Sequence, residues 1–275
     1  MHRAYFDFHG LRLSYLEAGA ENTRKILIAH ANGYAAGCYD YIIAALAKDY
    51  HVCALDFAGH GASESTLDFR SWNFFRDQIL AFLNHMRWST CSAIGHSLGG
   101  GSLLRAAIED ATRFEKMIAF DPVMLGFLPI LYVKLFGNPM ARTAAGRRAT
   151  FKNKEQALKI FGRHPANKNW EKPAVQAYVD YCIRENAGGA LLCCDPQVEA
   201  RIFSQTEFGH LFRLGRIRCE THLVLPAHSN VCAPWVARRI ATQNTLSAVV
   251  RVPQAGHLLP FENRAETLAQ IKKHL

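Results

Sequence analysis

The amino-acid sequence predicts an α/β fold in which helices flank a mostly parallel central sheet and a helical cap is inserted into the core. Apolar runs of strand length alternate with segments that repeat apolar residues at helical spacing, which is typical of parallel sheets. This alternation stops after Asp121 and resumes near residue 205, which indicates an insertion. Hydrophobic residues make up 49% of the 275 residues and charged residues 20%, so the chain has enough apolar material for a large core.

The elements on either side of the insertion follow one another in a regular order. Residues 5–17 predict a hairpin that turns at His9-Gly10. Strands are then predicted at 25–31, 51–57, 91–95 and 116–120, with helices at 39–48, 74–86 and 98–110. After the insertion, strands are predicted at 221–225 and 248–252, and helices at 235–243 and 264–274. The largely apolar strands are those expected where helices cover both faces of a sheet.

Residues 122–204 are predicted to be the cap, or lid, and residues 1–121 and 205–275 the α/β core. The cap segment contains helices and turns but no convincing strand. It opens with a strongly apolar stretch at 122–133, which has two interpretations. It packs the cap on the core, or it forms the wall of an acyl pocket or a mobile lid, with Phe127, Phe136 and Trp170 as lining residues.

The insertion also carries most of the positive charge. From Lys134 to Lys172 there are ten basic residues against two acidic ones, so this segment holds +8 of the net charge of +9. The charge belongs either to an ordinary solvated helical face or to a basic cap that steers anionic substrates or meets an anionic membrane surface. Nucleic acid is not an expected partner, because no nucleic-acid-binding module accompanies the charge.

The absence of certain patterns narrows the class of protein. No apolar stretch reaches the roughly 20 residues that span a bilayer, and the first 30 residues lack the apolar block of a signal peptide. Eight cysteines include no C-x-x-C pair and are expected to be buried, reduced thiols. We therefore expect a cytoplasmic protein without stable membrane insertion. No metal or cofactor is expected, because ligand spacings and phosphate-binding glycine motifs are missing, and the oligomeric state is left open.

The strongest motif is Gly95-His96-Ser97-Leu98-Gly99, a G-x-S-x-G pattern between a predicted strand and a predicted helix. A sharp turn there presents the Ser97 side chain at the sheet edge, and the flanking glycines are needed because neighbouring chains leave no room for a Cβ. The free N–H groups at the start of the following helix point at any oxyanion formed beside Ser97. The pattern predicts that Ser97 is a nucleophile.

Together with three further motifs, which occur in the order found in that family, this pattern makes the chain resemble the α/β-hydrolase superfamily, in particular capped serine hydrolases of the esterase type. The first is His30-Ala31-Asn32-Gly33, similar to the H-G-x-x oxyanion segment. The second is the loop from Asp56 to Ser63, similar to D-x-x-G-x-G-x-S. The third is Gly256-His257 followed by Glu262-Asn263, similar to G-H-x-x-x-x-E-N. The resemblance covers nearly the whole chain and implies a cofactor-free enzyme.

The resemblance also implies roles for individual residues. His257 would be the general base that takes the proton of Ser97. The oxyanion hole would use the backbone N–H of Leu98 and that of Asn32, while a shifted alignment would make Tyr34 the second donor. The other motif histidines, His30, His60 and His96, are expected to be structural.

The acid of the triad is the open point of the sequence. Most family members place an aspartate in the loop after the strand predicted at 221–225, but residues 226–232 contain no carboxylate and Asn230 stands where it is expected. Pancreatic-type lipases and certain haloalkane dehalogenases place the acid after the sixth strand, which corresponds to Asp121 here. We therefore predict Asp121 as the acid, with Asn230 assisting or substituting.

These residues predict hydrolysis of a small-molecule carboxylic ester through an acyl-enzyme. The apolar start of the cap and its basic exterior favour a hydrophobic acyl group. Thioesterase, lactonase and C–C bond hydrolase activity on the same triad remain alternatives. A non-catalytic ligand-binding pseudoenzyme is the alternative from another class, and the missing acid at Asn230 is its only support.

Overall fold

The structure, a computed structural model, describes all 275 residues. Its strands, in chain order, are β1 (His2–Phe8), β2 (Leu11–Ala18), β3 (Lys25–Ala29), β4 (His51–Leu55), β5 (Cys91–His96), β6 (Phe114–Phe120), β7 (Thr150–Phe151), β8 (Ile183–Asn186), β9 (Gly189–Leu192), β10 (Glu220–Pro226) and β11 (Ala248–Val252). Its helices are α1 (Asp40–Leu46), α2 (Asn73–His85), α3 (Leu98–Glu109), α4 (Phe127–Phe136), α5 (Pro139–Ala145), α6 (Lys154–Arg163), α7 (Lys172–Cys182), α8 (Pro196–Ser204), α9 (Pro234–Ala241), α10 (Leu259–Glu262) and α11 (Arg264–His274).

Eight of the strands form one central sheet in the order β1-β2-β4-β3-β5-β6-β10-β11. The predicted hairpin β1–β2 pairs antiparallel and β2 joins β4 antiparallel, whereas all remaining neighbours are parallel. Parallel neighbours require crossover connections, which explains the helices between successive strands. Because β3, β5, β6, β10 and β11 run the same way, the loops that follow them meet at one edge of the sheet. The predicted α/β fold is confirmed.

Alternating side chains of the strands supply both faces of the sheet. In β3, Leu27 and Ala29 join a buried cluster with helices α2, α3 and α9. Ile26 and Ile28 of the same strand join a second cluster with α1 and α11. The core is therefore a three-layer sandwich of helix, sheet and helix, and central strands such as β3 are apolar on both sides for that reason.

The inserted segment differs from the prediction, because it contains strands as well as helices. Helices α4–α8 accompany a small antiparallel sheet in the order β7-β9-β8, although the sequence shows no convincing strand there. The three strands have only two to four residues, too few for alternation of apolar and polar residues to stand out. The β8–β9 turn contains Gly188 and Gly189, and the latter has φ +129°, a conformation that favours glycine.

The insertion is attached to both layers of the core. Tyr178, Val179 and Cys182 of α7 belong to the buried cluster around α1, and Val198 and Ile202 of α8 belong to the cluster around α2. These two helices therefore hold the insertion over the carboxyl edge of the sheet.

The apolar stretch at 122–133 divides into two parts: Met124 lies in the buried core cluster, as the packing interpretation predicts, whereas most of helix α4 is exposed. Of its ten residues only Ile130 is buried. Phe127 is 50% exposed and Phe136 69% exposed, and their role in lining an acyl pocket stays a prediction. No helix of the structure combines the length and the apolar character needed to cross a membrane.

Candidate active site

Ser97 lies at the tight turn between β5 and α3, as the G-x-S-x-G pattern predicts. Its backbone has φ +53° and ψ −112°, a strained conformation for a residue with a Cβ. The Ser97 N–H donates to the carbonyl of Phe120 at 3.0 Å, which ties the turn to the end of β6. A Cβ on Gly99 would collide with the backbone carbonyl of Ala29. The close approach of β3 therefore explains why this position is glycine.

His257 connects Ser97 to Asp121. Its Nε2 lies 3.0 Å from Ser97 Oγ, and its Nδ1 lies 2.7 Å from Asp121 Oδ2. Asp121 directly follows β6 and is buried, with φ +37° and its N–H donating to the carbonyl of Val224. The pairing of β6 with β5 and β10 thus brings the carboxylate to the loop that carries His257. The three side chains form one hydrogen-bonded series at the carboxyl edge of the sheet.

Asn230, considered as a substitute acid, lies elsewhere. Its side chain is exposed and makes no hydrogen bond to His257. Of the two residues considered from sequence, Asp121 is the one within hydrogen-bond distance of the imidazole.

The two backbone amides predicted for the oxyanion hole, those of Leu98 and Asn32, make no hydrogen bond within the chain. Leu98 is the first residue of α3, so its N–H has no acceptor within the helix. The N–H of Asn32 makes no hydrogen bond in the chain, whereas that of Tyr34 already donates to the carbonyl of Ala31 at 3.2 Å. The occupied Tyr34 amide favours Asn32 over the shifted alignment.

Three further motif histidines are buried, and two of them contact the segments that carry the site. His96 Nε2 donates to the backbone carbonyl of His257 at 2.8 Å, and its Nδ1 accepts from the Tyr39 hydroxyl at 2.8 Å. Burial, followed by the nearby His257, lowers the pKa of His96 to about 3, so its ring is neutral and holds the His257 loop. His60 Nε2 accepts from the N–H of Gly33 at 3.0 Å, next to Asn32. His30 Nε2 likewise accepts from the N–H of Phe57.

We expect the stability of the chain to fall as the pH decreases below about 6.5, partly because of His60. Burial, together with the neighbouring His30, lowers the pKa of His60 to about 3, below its ordinary value of 6.5. Between these values the unfolded chain binds more protons than the folded one, so acid favours unfolding, by about 2 kcal/mol at pH 5 for one such histidine.

Urea unfolding at several pH values between 4.5 and 7.5 measures this effect. His60→Gln is expected to flatten the dependence of the unfolding free energy on pH, and the exposed His228→Gln is the matched control with the wild-type slope. An unchanged slope in His60→Gln would contradict the assignment.

The insertion contributes residues that the sequence analysis did not single out. Asn32 Nδ2 donates to the backbone carbonyl of Glu199 at 3.2 Å. The Arg147 guanidinium hydrogen-bonds the carboxylate of Glu199 and, at 2.8 Å, the hydroxyl of Tyr178. Tyr178 in turn lies 3.4 Å from the carbonyl of Gly33. No local motif marks these residues, because their contacts join segments far apart in the chain.

The Glu199 carboxyl is largely enclosed by these contacts. Burial raises the pKa of Glu199, and the positive charge of Arg147 beside it opposes that rise. An ion pair of this kind fixes two side chains in one geometry, and here it does so against Asn32 and Gly33. The insertion therefore braces the loop that supplies the second free amide.

An aromatic cluster adjoins the same loop. Tyr34 stacks on Phe261 with 4.7 Å between ring centroids, Trp170 stacks on Phe261 at 5.2 Å, and Tyr34 and Trp170 are themselves 5.9 Å apart. Trp170, predicted to line a pocket, thus joins the insertion to the segment that follows His257.

One group of side chains could hold a metal ion, and it lies away from Ser97. The donor atoms of Glu17, His51 and Cys53 lie within 4.8 Å of one another. His51 begins β4, so the group sits at the opposite edge of the sheet from Ser97. Nε2 of His51 is 2.6 Å from Oε1 of Glu17, which is a hydrogen bond that already satisfies both atoms.

An eight-stranded sheet of this order, with a serine at the turn after β5 and helices on both faces, defines an α/β-hydrolase. A sequence model of the Alpha/beta hydrolase family matches residues 26–271, and the chain belongs to this family.

Individual relatives are distant. A serine hydrolase-like protein of Danio rerio is 23% identical over 197 residues, which are 66% of this chain and 58% of that protein. A serine hydrolase-like protein of Dictyostelium discoideum is 29% identical over 223 residues, 74% of this chain and 60% of that protein. The chain therefore spans about three-fifths of the length of these two curated relatives.

Solved structures share the fold over the full chain. E-2-(acetamidomethylene)succinate hydrolase superposes with a TM-score of 0.81 at 17% identity, covering 99% of this chain and 98% of that one. The thioesterase domain of the curacin biosynthetic pathway superposes with a TM-score of 0.78 at 18% identity, covering 99% of each chain. At such low identity the likeness concerns the fold alone.

Proposed function

We propose that the chain is a serine hydrolase that cleaves a carboxylic ester through an acyl-enzyme. The observation that carries the proposal is the hydrogen-bonded series from Ser97 through His257 to Asp121. Nucleophile, base and orienting acid must be linked in this way, because the imidazole can accept the serine proton only when its other nitrogen is held as a donor. The pseudoenzyme alternative loses its support, since Asp121 can take the role missing at Asn230.

In the first half of the reaction, Ser97 Oγ attacks the ester carbonyl carbon while His257 Nε2 takes the hydroxyl proton. The carbonyl oxygen becomes an oxyanion, which the N–H groups of Leu98 and Asn32 stabilise. The C–O bond to the alcohol then breaks, and His257 returns the proton to the departing alcohol. Asp121 stays ionised and stabilises the imidazolium that forms between these steps.

In the second half, a water molecule takes the place of the alcohol. His257 removes one of its protons as it attacks the acyl carbon, and the same amides bind the second oxyanion. Collapse releases the carboxylic acid and returns the proton to Ser97. No step needs a cofactor or a metal.

The substrate we propose is a small-molecule ester with a hydrophobic acyl group. Tyr34 and Trp170 lie beside the oxyanion loop with their side chains partly exposed, which supports this choice. Residues 122–204 would act as the cap, since Glu199 contacts Asn32 directly. A cytoplasmic setting fits the eight cysteines, all of which are free thiols.

Hydrolysis of p-nitrophenyl esters of increasing acyl length tests the proposal. We expect a burst of about one p-nitrophenol per chain, followed by slower turnover, because an activated p-nitrophenyl ester acylates Ser97 faster than water hydrolyses the acyl-enzyme. The value of kcat/KM is expected to rise with acyl length, by at most roughly fourfold for each buried methylene. If the protein cleaves no ester, a non-ester reaction on the same triad or the pseudoenzyme alternative is favoured.

The second candidate function is that of a thioesterase, and it is tested by comparing esters with thioesters of the same acyl groups. The thioesterase neighbour shares the fold, so thioester cleavage is the alternative with a structural parallel. A kcat/KM for thioesters more than about a hundredfold above that of the matched esters would identify a thioesterase instead.

A further inference from the structure

Helix α4 is an apolar helix that the protein leaves uncovered. Six of its side chains form what we call the apolar face, and they are Phe127, Leu128, Leu131, Tyr132, Leu135 and Phe136. Leu128 is 74% exposed, Leu135 66% and Phe136 69%. Soluble proteins seldom expose large apolar side chains in one continuous patch unless the patch binds something.

The apolar face continues onto the core near the carboxyl edge of the sheet. Phe127 packs on Phe208 with 4.8 Å between ring centroids. The indole of Trp235, itself 44% exposed, lies against Gly126 at the start of α4. Helix α4 also begins only six residues after Asp121, so the face adjoins the edge where Ser97 lies.

The segment that carries the apolar face has charges of a single sign. Residues 122–154 contain no Asp or Glu but six basic residues, which are Lys134, Arg142, Arg147, Arg148, Lys152 and Lys154. Lys134 lies on α4 itself and Arg142 on α5, and both are exposed. Arg147 is the member of this group that pairs with an acid, Glu199.

We propose that this face of the insertion docks on an anionic phospholipid surface. A helix with exposed Phe and Leu and a basic rim is suited to lie in the headgroup layer, where the acyl chains accept the apolar side chains and the anionic headgroups attract the cations. A second copy of the chain is disfavoured, because a symmetric dimer through this face would bring two basic segments of the same sign together.

Docking would bring the active site to its substrate. A lipid ester that leaves the lipid surface would do so beside the edge of the sheet that carries Ser97. The proposed docking therefore deepens the proposed function, because it places the hydrophobic acyl ester in a lipid phase. It rests on that function only for the substrate, since attachment to the surface needs no hydrolysis.

Co-sedimentation with vesicles tests the proposal, using Ser97→Ala protein so that hydrolysis does not alter the lipid. The two lipid mixtures are phosphatidylcholine alone and phosphatidylcholine with about one third phosphatidylserine. We expect binding to the anionic vesicles to be at least about tenfold tighter, and to weaken as salt is raised. Equal binding to both mixtures, or none to either, overturns the proposal.

The double variant Leu128→Glu/Leu135→Glu tests the apolar face. It should weaken binding to the anionic vesicles at least about tenfold, because it places charges where acyl chains would lie. Leu246→Glu is the matched control, since Leu246 is 65% exposed and lies in the turn before β11. Unchanged binding in the double variant contradicts the role of α4.

Sedimentation velocity without lipid tests the alternative occupant of the apolar face, which is a second copy of the chain. A dimer that the double variant dissociates, combined with no vesicle binding, would assign the face to a second copy and overturn the lipid proposal. Ester turnover by the wild type in solution is a separate readout. Its absence would contradict the proposed function, and vesicle binding would still decide the docking proposal.

Discussion

Replacing Ser97 by alanine is expected to lower kcat for p-nitrophenyl esters by about 10⁴-fold to 10⁶-fold. The substitution removes the atom that attacks the carbonyl, and His257 Nε2, now 3.0 Å from an empty position, has no proton to accept. The free amides of Leu98 and Asn32 would still bind an oxyanion, so a small residual rate with water as nucleophile is expected.

The measurement compares steady-state turnover and the burst in the variant with those of Ser102→Ala. Ser102 lies in the next turn of α3, is buried and has no hydrogen-bond partner, so its Oγ can be removed without breaking an interaction. Thermal unfolding of both variants confirms that the fold survives. A Ser97→Ala protein that retains its burst and more than a tenth of the wild-type kcat would remove Ser97 from the mechanism.

Replacing Asp121 by asparagine is expected to lower kcat by about 10⁴-fold, while KM changes little. The carboxylate accepts the Nδ1 proton of His257 at 2.7 Å and thereby leaves Nε2 free to accept the proton of Ser97. An amide can donate to Nδ1 and so hold the imidazole in the wrong tautomer, and it cannot stabilise the imidazolium by charge.

Asn230→Ala is the matched control for this prediction. Asn230 is exposed and makes no hydrogen bond to His257, so kcat is expected to stay within about twofold of the wild type. Steady-state kinetics of both variants on the same ester test which of the two residues orients His257. A larger loss of kcat in Asn230→Ala than in Asp121→Asn would indicate that Asn230, in the loop after β10, orients His257 instead.

The parts of the site that could be predicted from the sequence are those set by local structure. The G-x-S-x-G pattern specifies a strand, a turn and a helix within a few residues, and Ser97 is found at that turn with φ +53°. The order of alternating strands and helices likewise predicted the core sheet, because the spacing of apolar residues reports which faces are covered. Short strands such as β7 are too brief for this spacing to reveal.

Other features needed the arrangement of distant segments. The sequence left Asp121 and Asn230 as candidate acids. Both follow strands that lie between β5 and β11, and the conformation of the loops leaves Asn230 exposed and puts Asp121 2.7 Å from His257. The sequence also left Asn32 and Tyr34 as candidate donors, and the hydrogen bond of the Tyr34 amide to Ala31 separates them.

By itself, therefore, the sequence determined the fold class, the strand, turn and helix that carry Ser97, and the residues of the proposed site. The tertiary structure decided that Asp121 meets His257, that Glu199 and Arg147 brace the loop at Asn32 and Gly33, and that α4 lies uncovered. The physical reason is that the conformation of a turn depends on its own residues. Burial and hydrogen bonding between remote segments depend instead on how the whole chain packs. The apolar composition of α4 therefore does not by itself reveal whether the helix is covered.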